Sequence, residues 1–240
     1  LKDFQIIKLD NRDEAMVGEN NLCVSENYIL VYGSVYELHP CRLFTKKGEF
    51  VTNIGAIGQG PGEYRAVYKA EIDEKHNCIY LMPFDNSNAI YVYDLAGKPL
   101  RSIPLHQSVS KAVFKVDADK RELTVGALPF TGYPFVAWVQ DFEGHLLDSV
   151  PAARHLSVLP DYSNEVMYGA NTEVFDLYIS TFFELRPDTL YHYIRSESRL
   201  KPRFTLNIGD RKRSITTFYE LPQAYVGRLM VEEQVGDGMW

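Results

Sequence analysis

One short pattern recurs along the chain at a nearly constant spacing: an apolar stretch, a turn that contains glycine, and a second apolar stretch. The three clear copies occupy Arg42–Val51, Ile90–Leu100 and Ala137–Leu147, and their glycines, Gly48, Gly97 and Gly144, are 49 and 47 residues apart. A tight hairpin turn needs a residue with a positive φ, and glycine adopts that conformation without a Cβ clash. The pattern therefore predicts three β-hairpins at a fixed period.

Each hairpin belongs to a larger repeat, because further strand-like stretches precede it. These stretches include Tyr28–Tyr32, Cys78–Met82 and Glu122–Val125. A weaker fourth copy has Thr189–Ile194 and Arg203–Gly209 as its two strands, joined by a connection from Arg195 to Pro202. About four short strands in each repeat are typical of the blades of a β-propeller.

We therefore predict an all-β fold, a β-propeller of the six-bladed type, with about four blades and part of another in this chain. The repeats are expected at about residues 19–64, 65–108, 109–156 and 157–212, with a partial repeat at 213–240. They are expected to form a single β-propeller domain over residues 1–240 that is incomplete at its C-terminal end. In that arrangement, the segment Phe4–Leu9 closes the ring against the last blade.

The composition favours strands and limits the partners. The chain has 240 residues, of which 45% are hydrophobic, and its 16 Tyr and 13 Phe residues pack well on pleated surfaces. Its formal net charge of −7 repels polyphosphates and anionic membrane surfaces, so nucleic acid is not an expected partner. No apolar run approaches the length of about eighteen residues that a membrane-spanning helix needs.

A glycine-rich stretch carries a family resemblance. The segment Phe50–Tyr64, which includes Gly55-Ala-Ile-Gly-Gln-Gly-Pro-Gly-Glu-Tyr64, closely resembles the signature of the six-bladed β-propeller lipoprotein family of Gram-negative gut bacteria, distant relatives of NHL-repeat propellers. The second repeat is also similar to an NHL repeat, with Asp94-x-x-Gly97 in the usual order, although Ala89 stands where such repeats carry Arg. The resemblance implies export to the periplasm or an outer-membrane-anchored location, and contact with a membrane only through a lipid anchor outside this chain. It implies no activity, because a fold does not determine a function.

The glycine-rich stretch itself has two interpretations. Successive backbone N–H groups can bind anions, but no Lys-Ser/Thr pair follows as in a P-loop, and Pro61 lacks an N–H group. We favour a structural linker from the outer strand of one blade to the inner strand of the next. The alternative is a loop at the channel mouth in which Glu63, Tyr64 and Arg65 face a ligand.

Aromatic loops are the other candidates for a binding rim. The segment Phe130-Thr-Gly-Tyr-Pro-Phe135 combines aromatic side chains with turn formers, as ligand sites often do. The candidate ligand-binding residues are therefore Glu63, Tyr64, Arg65, Phe130, Tyr133, Phe135, Asp161, Tyr162 and Tyr168. The competing interpretation of the aromatic residues is packing between neighbouring blades.

Local motifs for metals, cofactors and catalysis are missing from the sequence. The six histidines show no HxH or HExxH spacing, the three cysteines form no CxxC pair, and no serine lies in a G-x-S-x-G motif. Asp85-Asn-Ser-Asn88 contains oxygen ligands of the kind that Ca²⁺ takes, but the same residues favour an ordinary turn. No cofactor is expected, with calcium at Asp85–Asn88 as the alternative.

These observations lead to one favoured function and two alternatives. The favoured function is an exported, non-catalytic binding protein that uses its loops and channel mouth to bind a glycan, a peptide or an envelope protein. The first alternative is a hydrolase or lyase with a metal or an acid and histidine site in the central channel. The second is a structural component of a cell-envelope complex.

Overall fold

The computed structural model describes residues 4–18, 20–33, 39–84, 86–152, 158–159, 161–169, 171–181, 189–205 and 215–230. Backbone contacts divide the chain into two compact units. The first unit consists of Leu1–Leu123 and Gln140–Leu146, and the second consists of Thr124–Val139 and Leu147–Trp240. The single domain over residues 1–240 stays a prediction. Within the described residues, no helix has the length and apolar character required to cross a bilayer.

Strands dominate the described residues and form successive four-stranded sheets. The first sheet contains β1 (Asn20–Val24), β2 (Tyr28–Gly33), β3 (Cys41–Thr45) and β4 (Phe50–Ile54). The short strands β5 (Ala56–Ile57) and β6 (Glu63–Tyr64) follow and pair with each other in parallel. The second sheet contains β7 (Val67–Asp73), β8 (Cys78–Pro83), β9 (Ser87–Asp94) and β10 (Ile103–Val109).

Two more sheets and a hairpin complete the described structure. The third sheet contains β11 (Ala112–Asp117), β12 (Glu122–Ala127), β13 (Phe135–Asp141) and β14 (Leu146–Pro151). The fourth contains β15 (Glu165–Met167), β16 (Asp176–Ser180), β17 (Thr189–Ile194) and β18 (Arg199–Thr205), and a two-stranded sheet contains β19 (Ile215–Leu221) and β20 (Ala224–Met230). Two 3₁₀ turns lie at Asp13–Ala15 and Arg195–Glu197.

In every four-stranded sheet, consecutive strands of the chain are neighbours. Four such sheets in succession, followed by a two-stranded sheet, confirm the predicted all-β fold of the β-propeller class. The number of blades in a complete ring stays a prediction.

The repeated glycine turns share one hydrogen-bonding pattern. In the second sheet, Asp94 Oδ1 accepts hydrogen bonds from the N–H groups of Ala96 at 3.0 Å and Lys98 at 2.8 Å, while Gly97 has a φ of 83°. Asp141 and Thr45 cap the other two turns through the equivalent N–H groups, two and four residues later. Since the capping side chain and the glycine are only three residues apart, a local sequence motif determines each of these hairpins.

Two of these glycines also allow close contact with the backbone of a neighbouring segment. A Cβ atom added at Gly97 would lie 2.2 Å from the carbonyl oxygen of Asn53 in β4. A Cβ atom added at Gly48 would lie 2.1 Å from the carbonyl oxygen of Lys8. The segment around Lys8 thus lies against the first sheet as β4 lies against the second. Ring closure by Phe4–Leu9 itself stays a prediction.

The buried amide of Gln140 bonds the backbone of β10. Gln140 is fully buried, and its Nε2 donates to the carbonyl oxygen of Pro104 at 2.7 Å and to that of Asp141 at 3.1 Å. Its Oε1 accepts a hydrogen bond from the N–H of His106 at 2.8 Å. Gln140 therefore satisfies a carbonyl and an N–H group of β10, and its own buried amide is paired on both ends.

The fourth hairpin differs from the sequence prediction in its connection. We predicted a connection from Arg195 to Pro202, but β18 already begins at Arg199, and Pro202 lies within it opposite Tyr191. Ser198 makes the shorter turn by adopting a left-handed conformation with a φ of 47°. The prediction was wrong because a proline is compatible with a strand beside a bulge, and the β17–β18 register shifts next to Pro202.

Candidate functional site

The glycine-rich loop folds around the carboxylate of Glu63. Glu63 Oε2 accepts a hydrogen bond from the N–H of Gly60 at 2.8 Å. A Cβ atom at Gly58 would lie 1.9 Å from the same oxygen, so the loop closes tightly only because position 58 has no side chain. An open cavity of about 430 Å³ lies beside the loop and is lined by Gly60–Glu63, Tyr91–Tyr93, Pro99, Leu100 and Ser102. Glu63 thus helps to shape this cavity from within the loop.

Tyr64 completes the end of the first sheet. Its ring is buried, and its hydroxyl accepts a hydrogen bond from the N–H of Cys41 at 2.7 Å and donates one to the carbonyl oxygen of Ile54 at 2.5 Å. Cys41 and Ile54 are partners in the β3–β4 ladder, so the hydroxyl bridges the last pair of this ladder. Burial raises the pKa of the Tyr64 hydroxyl far above its usual range, which keeps it neutral. Arg65, the next residue, is exposed.

An aromatic cluster brings together three of the residues that the sequence indicated. Phe130 is buried, and its ring contacts that of Tyr133 at a centroid distance of 5.9 Å and that of Tyr162 at 5.7 Å. Tyr133 is half-buried, whereas Tyr162 is 51% exposed. The cluster therefore combines a buried anchor with an exposed ring, an arrangement that is typical of ligand-contacting aromatic residues.

Backbone hydrogen bonds fasten the two segments of this cluster to each other. Thr131 donates its N–H to the carbonyl oxygen of Val158 at 3.0 Å, and Val158 donates its N–H to that of Pro129 at 3.0 Å. The Thr131 hydroxyl adds a bond to the same carbonyl oxygen of Val158 at 3.2 Å. Because Tyr162 follows Val158 by only four residues, these bonds help to hold its ring beside Phe130.

The remaining predicted residues lie beside this cluster or apart from it. Asp161 is next to Tyr162, and its Oδ1 accepts hydrogen bonds from the N–H and the hydroxyl of Ser163 at 2.9 and 2.7 Å. Phe135 is half-buried at the start of β13. Tyr168 is buried and stacks on Phe175 at 4.5 Å. Tyr168 thus packs on a residue of its own repeat, and its role in ligand binding stays a prediction.

An open cleft rich in charged groups lies between the second and third sheets. Its volume is about 460 Å³, and its lining includes Glu71, Asp73, His76, Lys115 and Asp119. Burial raises the pKa of Glu71 to about 7, although its carboxylate accepts a hydrogen bond from the N–H of Val116 at 3.1 Å. The other carboxylates pair with nearby basic groups: Asp73 with His76 at 2.7 Å, and Asp119 with Lys75 at 2.6 Å.

A second polar cluster joins the β19–β20 hairpin to the fourth sheet. His192 Nε2 and Glu220 Oε2 are hydrogen-bonded, and the Tyr225 hydroxyl donates to Glu220 Oε1 at 3.1 Å. Burial raises the pKa of Glu220, but its bonds to His192 and Tyr225 outweigh that effect, so the pKa is below its usual value. Burial also raises the pKa of Asp176, whose carboxylate accepts a bond from the Gly169 N–H.

Sequence analysis did not identify this second cluster, but one signal for it was present. Side chains alternate between the two faces of a strand, and Glu220 shares the inward face of β19 with Phe218, which is buried against Tyr178. A carboxylate at a core position needs a partner, and that requirement points to a histidine or an arginine on a neighbouring strand. Arg203 does approach Glu220, at 3.6 Å.

Among the described residues, no three His, Cys, Asp or Glu side chains are arranged so that they would hold a metal ion. The alternative calcium site includes Asp85, which lies outside the described residues. Of the other residues in that loop, Asn86 accepts a hydrogen bond from the Ser108 hydroxyl at 3.1 Å, and the Ser87 hydroxyl donates to the carbonyl oxygen of Ala89 at 2.7 Å. Asn86 and Ser87 thus bond to other protein groups, and calcium at Asp85–Asn88 stays a prediction.

The repeated sheets and the aromatic cluster define the chain as a β-propeller protein with a candidate binding surface in its loops. By sequence, the chain belongs to the family described as Domain of unknown function (DUF4934), whose model matches residues 1–226. No protein with a curated description matches the sequence significantly.

Solved structures show a similar fold at low sequence identity. A Bacteroides fragilis protein named "Putative exported protein" has a TM-score of 0.53 and 14% identity, and the match covers 90% of this chain and 84% of that one. The WD40 β-propeller domain of Doa1 has a TM-score of 0.48 and 13% identity, over 77% of this chain and 52% of that one. Dihydro-heme d1 dehydrogenase NirN has a TM-score of 0.46 and 15% identity, over 90% of this chain and 46% of that one. At 14% identity, the similarity to the Bacteroides fragilis protein concerns the fold and not an activity.

Proposed function

We propose that this protein is an exported, non-catalytic binding protein whose ligand contacts the aromatic cluster of Phe130, Tyr133 and Tyr162. The observation that carries the proposal is the exposed Tyr162 ring, which is 51% accessible although it packs against the buried Phe130. Partly exposed aromatic rings on a rigid support are common in binding sites, because they offer a large contact area at a low cost in side-chain entropy. The partner classes are a glycan, a peptide or an envelope protein.

Two observations support export as part of this proposal. One similar structure is that of a protein named as exported, and the Phe50–Tyr64 segment resembles the signature of an exported lipoprotein family. We include a location in the periplasm or on the outer membrane and a six-bladed ring in the same proposal. Fractionation of cells that express the full-length gene tests the location, and recovery of the protein in the cytoplasmic fraction alone would exclude it.

Binding is tested with the full-length protein on arrays of glycans and peptides, followed by calorimetric titration of each ligand found. Tyr162→Ala removes the exposed ring of the cluster. Tyr219→Ala is a matched control, because Tyr219 is a similarly exposed tyrosine, at 42%, on β19. Loss of binding in the first variant alone supports the proposal, and equal binding by both variants would place the site elsewhere.

A hydrolase or lyase activity is the second candidate, and the cluster of Asp176, His192 and Glu220 favours it. An imidazole beside two carboxylates whose pKa values shift in opposite directions is a common arrangement for general acid and base catalysis. The test is turnover of chromogenic ester and glycoside substrates by the full-length protein and by His192→Ala. Turnover that disappears in this variant would support the enzyme, and its absence across the panel would count against it.

A further inference from the structure

We infer that the cavity beside the glycine-rich loop binds an organic cation, an ammonium or guanidinium group on an apolar stem, with Glu63 as its counter-ion. The inference goes beyond the proposed function, because this site shares no residue with the aromatic cluster of Phe130, Tyr133 and Tyr162. Three features carry it: a cavity with fixed walls, a carboxylate oxygen that the protein leaves available, and apolar surface around that carboxylate.

The cavity has the size of a small-ligand site. Its volume of about 430 Å³ lies within the range of about 300–1,000 Å³ that is typical of such sites. The glycine-rich loop contributes Gly60–Glu63 to its lining, and β9 with the turn after it contributes Tyr91–Tyr93, Pro99, Leu100 and Ser102. All of these residues belong to one compact unit of the chain. The cavity therefore has room for a charged end group together with its stem.

Direct contacts hold the two walls of the cavity together. Tyr93 is fully buried, and its hydroxyl donates to the carbonyl oxygen of Gly62 at 3.2 Å. A Cβ atom added at Gly62 would lie 2.9 Å from Cβ of Pro99, so the loop lies directly against the turn that follows β9. The N–H of Leu100 in turn donates to the carbonyl oxygen of Val92 at 2.7 Å. Because the walls are held before a ligand binds, binding requires little reorganisation.

The loop fixes one oxygen of Glu63 and leaves the other available. Glu63 Oε2 accepts the hydrogen bond from the Gly60 N–H, and the Glu63 N–H donates to the carbonyl oxygen of Gly60 at 3.0 Å. Among the described residues, no group donates to Glu63 Oε1 and no basic side chain pairs with this carboxylate. A carboxylate has about four acceptor positions on its two oxygens, so most of its capacity remains open to a ligand.

This carboxylate favours a cation as the ligand. An anion would be repelled both by Glu63 in the wall and by the formal net charge of −7 on the chain. A neutral donor can bond to the open oxygen, but a charge-assisted hydrogen bond from a cation is about twice as strong as a bond between neutral groups. The charge of Glu63 therefore selects an ammonium or a guanidinium group.

The rest of the lining suits the apolar stem of such a cation. Leu100 is 43% exposed and Pro99 is exposed, so both offer apolar surface to a ligand. Tyr91, which is half-buried, also lines the cavity. The methylene stems of lysine and arginine lie along apolar surface while their charged ends reach polar partners, and tyrosine rings attract cations. The lining thus matches both parts of a lysine or arginine side chain, or of a free alkylamine.

The inference is tested by NMR titration of the isotope-labelled full-length protein with two sets of cations. One set contains the free amines butylamine and agmatine, and the other contains glycine-rich pentapeptides with a central lysine or arginine. We expect cations to shift the backbone amide signals of Gly60, Gly62 and Glu63. Their affinity should fall as NaCl rises from about 0.05 to 0.5 M, because salt screens charged contacts. The set that binds more tightly identifies the source of the cation.

Neutral ligands and matched variants separate the effect of charge from other effects. Pentapeptides with norleucine or acetyl-lysine keep the stem without the charge, and are expected to bind at least about tenfold more weakly than the lysine pentapeptide. Glu63→Gln keeps an acceptor for the Gly60 N–H but loses the charge, and should weaken cation binding by a similar factor. Glu49→Gln is the control, since it changes the net charge equally at an exposed position. Thermal unfolding checks that each variant is folded.

Three results would overturn the inference. Equal binding of the norleucine and lysine pentapeptides would show that the cavity does not recognise the charge. Cation binding that is unchanged in Glu63→Gln would place the counter-ion elsewhere. Absence of any response at Gly60–Glu63 with every cation, up to about 10 mM, would exclude a cation site in this cavity. The proposed function is tested separately through Tyr162→Ala, so either proposal can fail without the other.

Discussion

The close contact of Gly97 with the first sheet leads to a quantitative prediction for Gly97→Ala. Two costs are expected in this variant. Alanine at a φ of 83° costs about 1–2 kcal/mol, because Cβ crowds its own backbone in the left-handed region. The new Cβ would also lie 2.2 Å from the carbonyl oxygen of Asn53, where ordinary contact begins at 3.4 Å.

The second cost comes from moving backbone away from backbone. Relief of the overlap requires a shift on the order of 1 Å, comparable to overpacking a well-packed core, which costs about 1–3 kcal/mol. That shift also lengthens the hydrogen bond from the Gly55 N–H to the carbonyl oxygen of Gly97, already 3.4 Å long. Together the two costs lead us to expect that Gly97→Ala lowers the free energy of unfolding by about 2–5 kcal/mol.

Gly144→Ala provides a matched control in the equivalent turn of the third sheet. Gly144 has a φ of 91°, but an added Cβ would meet only Pro104, at an ordinary distance of 3.4 Å. This variant should lose only about 1–2 kcal/mol from backbone strain. Urea denaturation followed by circular dichroism measures both values. Equal losses in the two variants would refute the idea that close contact between a turn and the neighbouring strand stabilises the repeat.

Three further predictions concern single side chains. Tyr64→Phe should lower the free energy of unfolding by about 2–3 kcal/mol, because the buried N–H of Cys41 loses its acceptor. Burial raises the pKa of Glu71 from 4.5 to about 7, so the protonated carboxyl is favoured in the folded state, and the stability that this provides at low pH is lost as the pH rises through about 7. Glu71→Gln should therefore stabilise the protein by about 3 kcal/mol at pH 8, but by less than about 1 kcal/mol at pH 5. The pKa of Glu220 is lowered, so its ionised carboxylate stabilises the fold above the ordinary pKa of a glutamate, and this stabilisation is lost as the pH falls through the lowered value. Glu220→Gln removes the charge that bonds His192, so it should increase hydrogen exchange in β19 and β20 near neutral pH.

Each of these predictions has a defined contradictory result. An unchanged midpoint of urea denaturation for Tyr64→Phe would show that the hydroxyl bridge contributes nothing. For Glu71→Gln, the control is Glu49→Gln, since Glu49 is exposed in the first hairpin, and equal pH profiles for the two variants would contradict the prediction. Hydrogen exchange in Glu220→Gln that rises equally in all strands would indicate global destabilisation instead of loss of hairpin docking.

Much of the fold was predictable because its determinants are local. Asp94 and Gly97 lie three residues apart and together make the turn, the side chain by capping two N–H groups and the glycine by adopting a positive φ. The spacing of such turns, with apolar stretches on either side, indicated hairpins in four-stranded sheets. The fourth hairpin was predicted less well, because the left-handed turn at Ser198 replaces the glycine that marks the other turns.

The roles of individual side chains were less predictable, because they depend on contacts between distant residues. Tyr64 is part of a conspicuous motif, yet its hydroxyl bridges Cys41 and Ile54, 23 and 10 residues earlier in the chain. Nothing within the glycine-rich loop indicates that its tyrosine faces the core of the preceding sheet. The pairing of His192 with Glu220, 28 residues apart, likewise depends on how the last hairpin packs.

The aromatic cluster shows where the two kinds of information meet. The sequence by itself determined that Phe130, Tyr133 and Tyr162 lie in loops rich in turn formers, because proline, glycine and aspartate favour turns through the conformation and hydrogen bonds of the local backbone. Only the tertiary structure decided that Phe130 is buried while Tyr162 remains exposed beside it, since hydrogen bonds between Thr131 and Val158 join segments 27 residues apart. Local backbone preferences encode the turns, whereas the candidate binding surface arises from packing between distant segments.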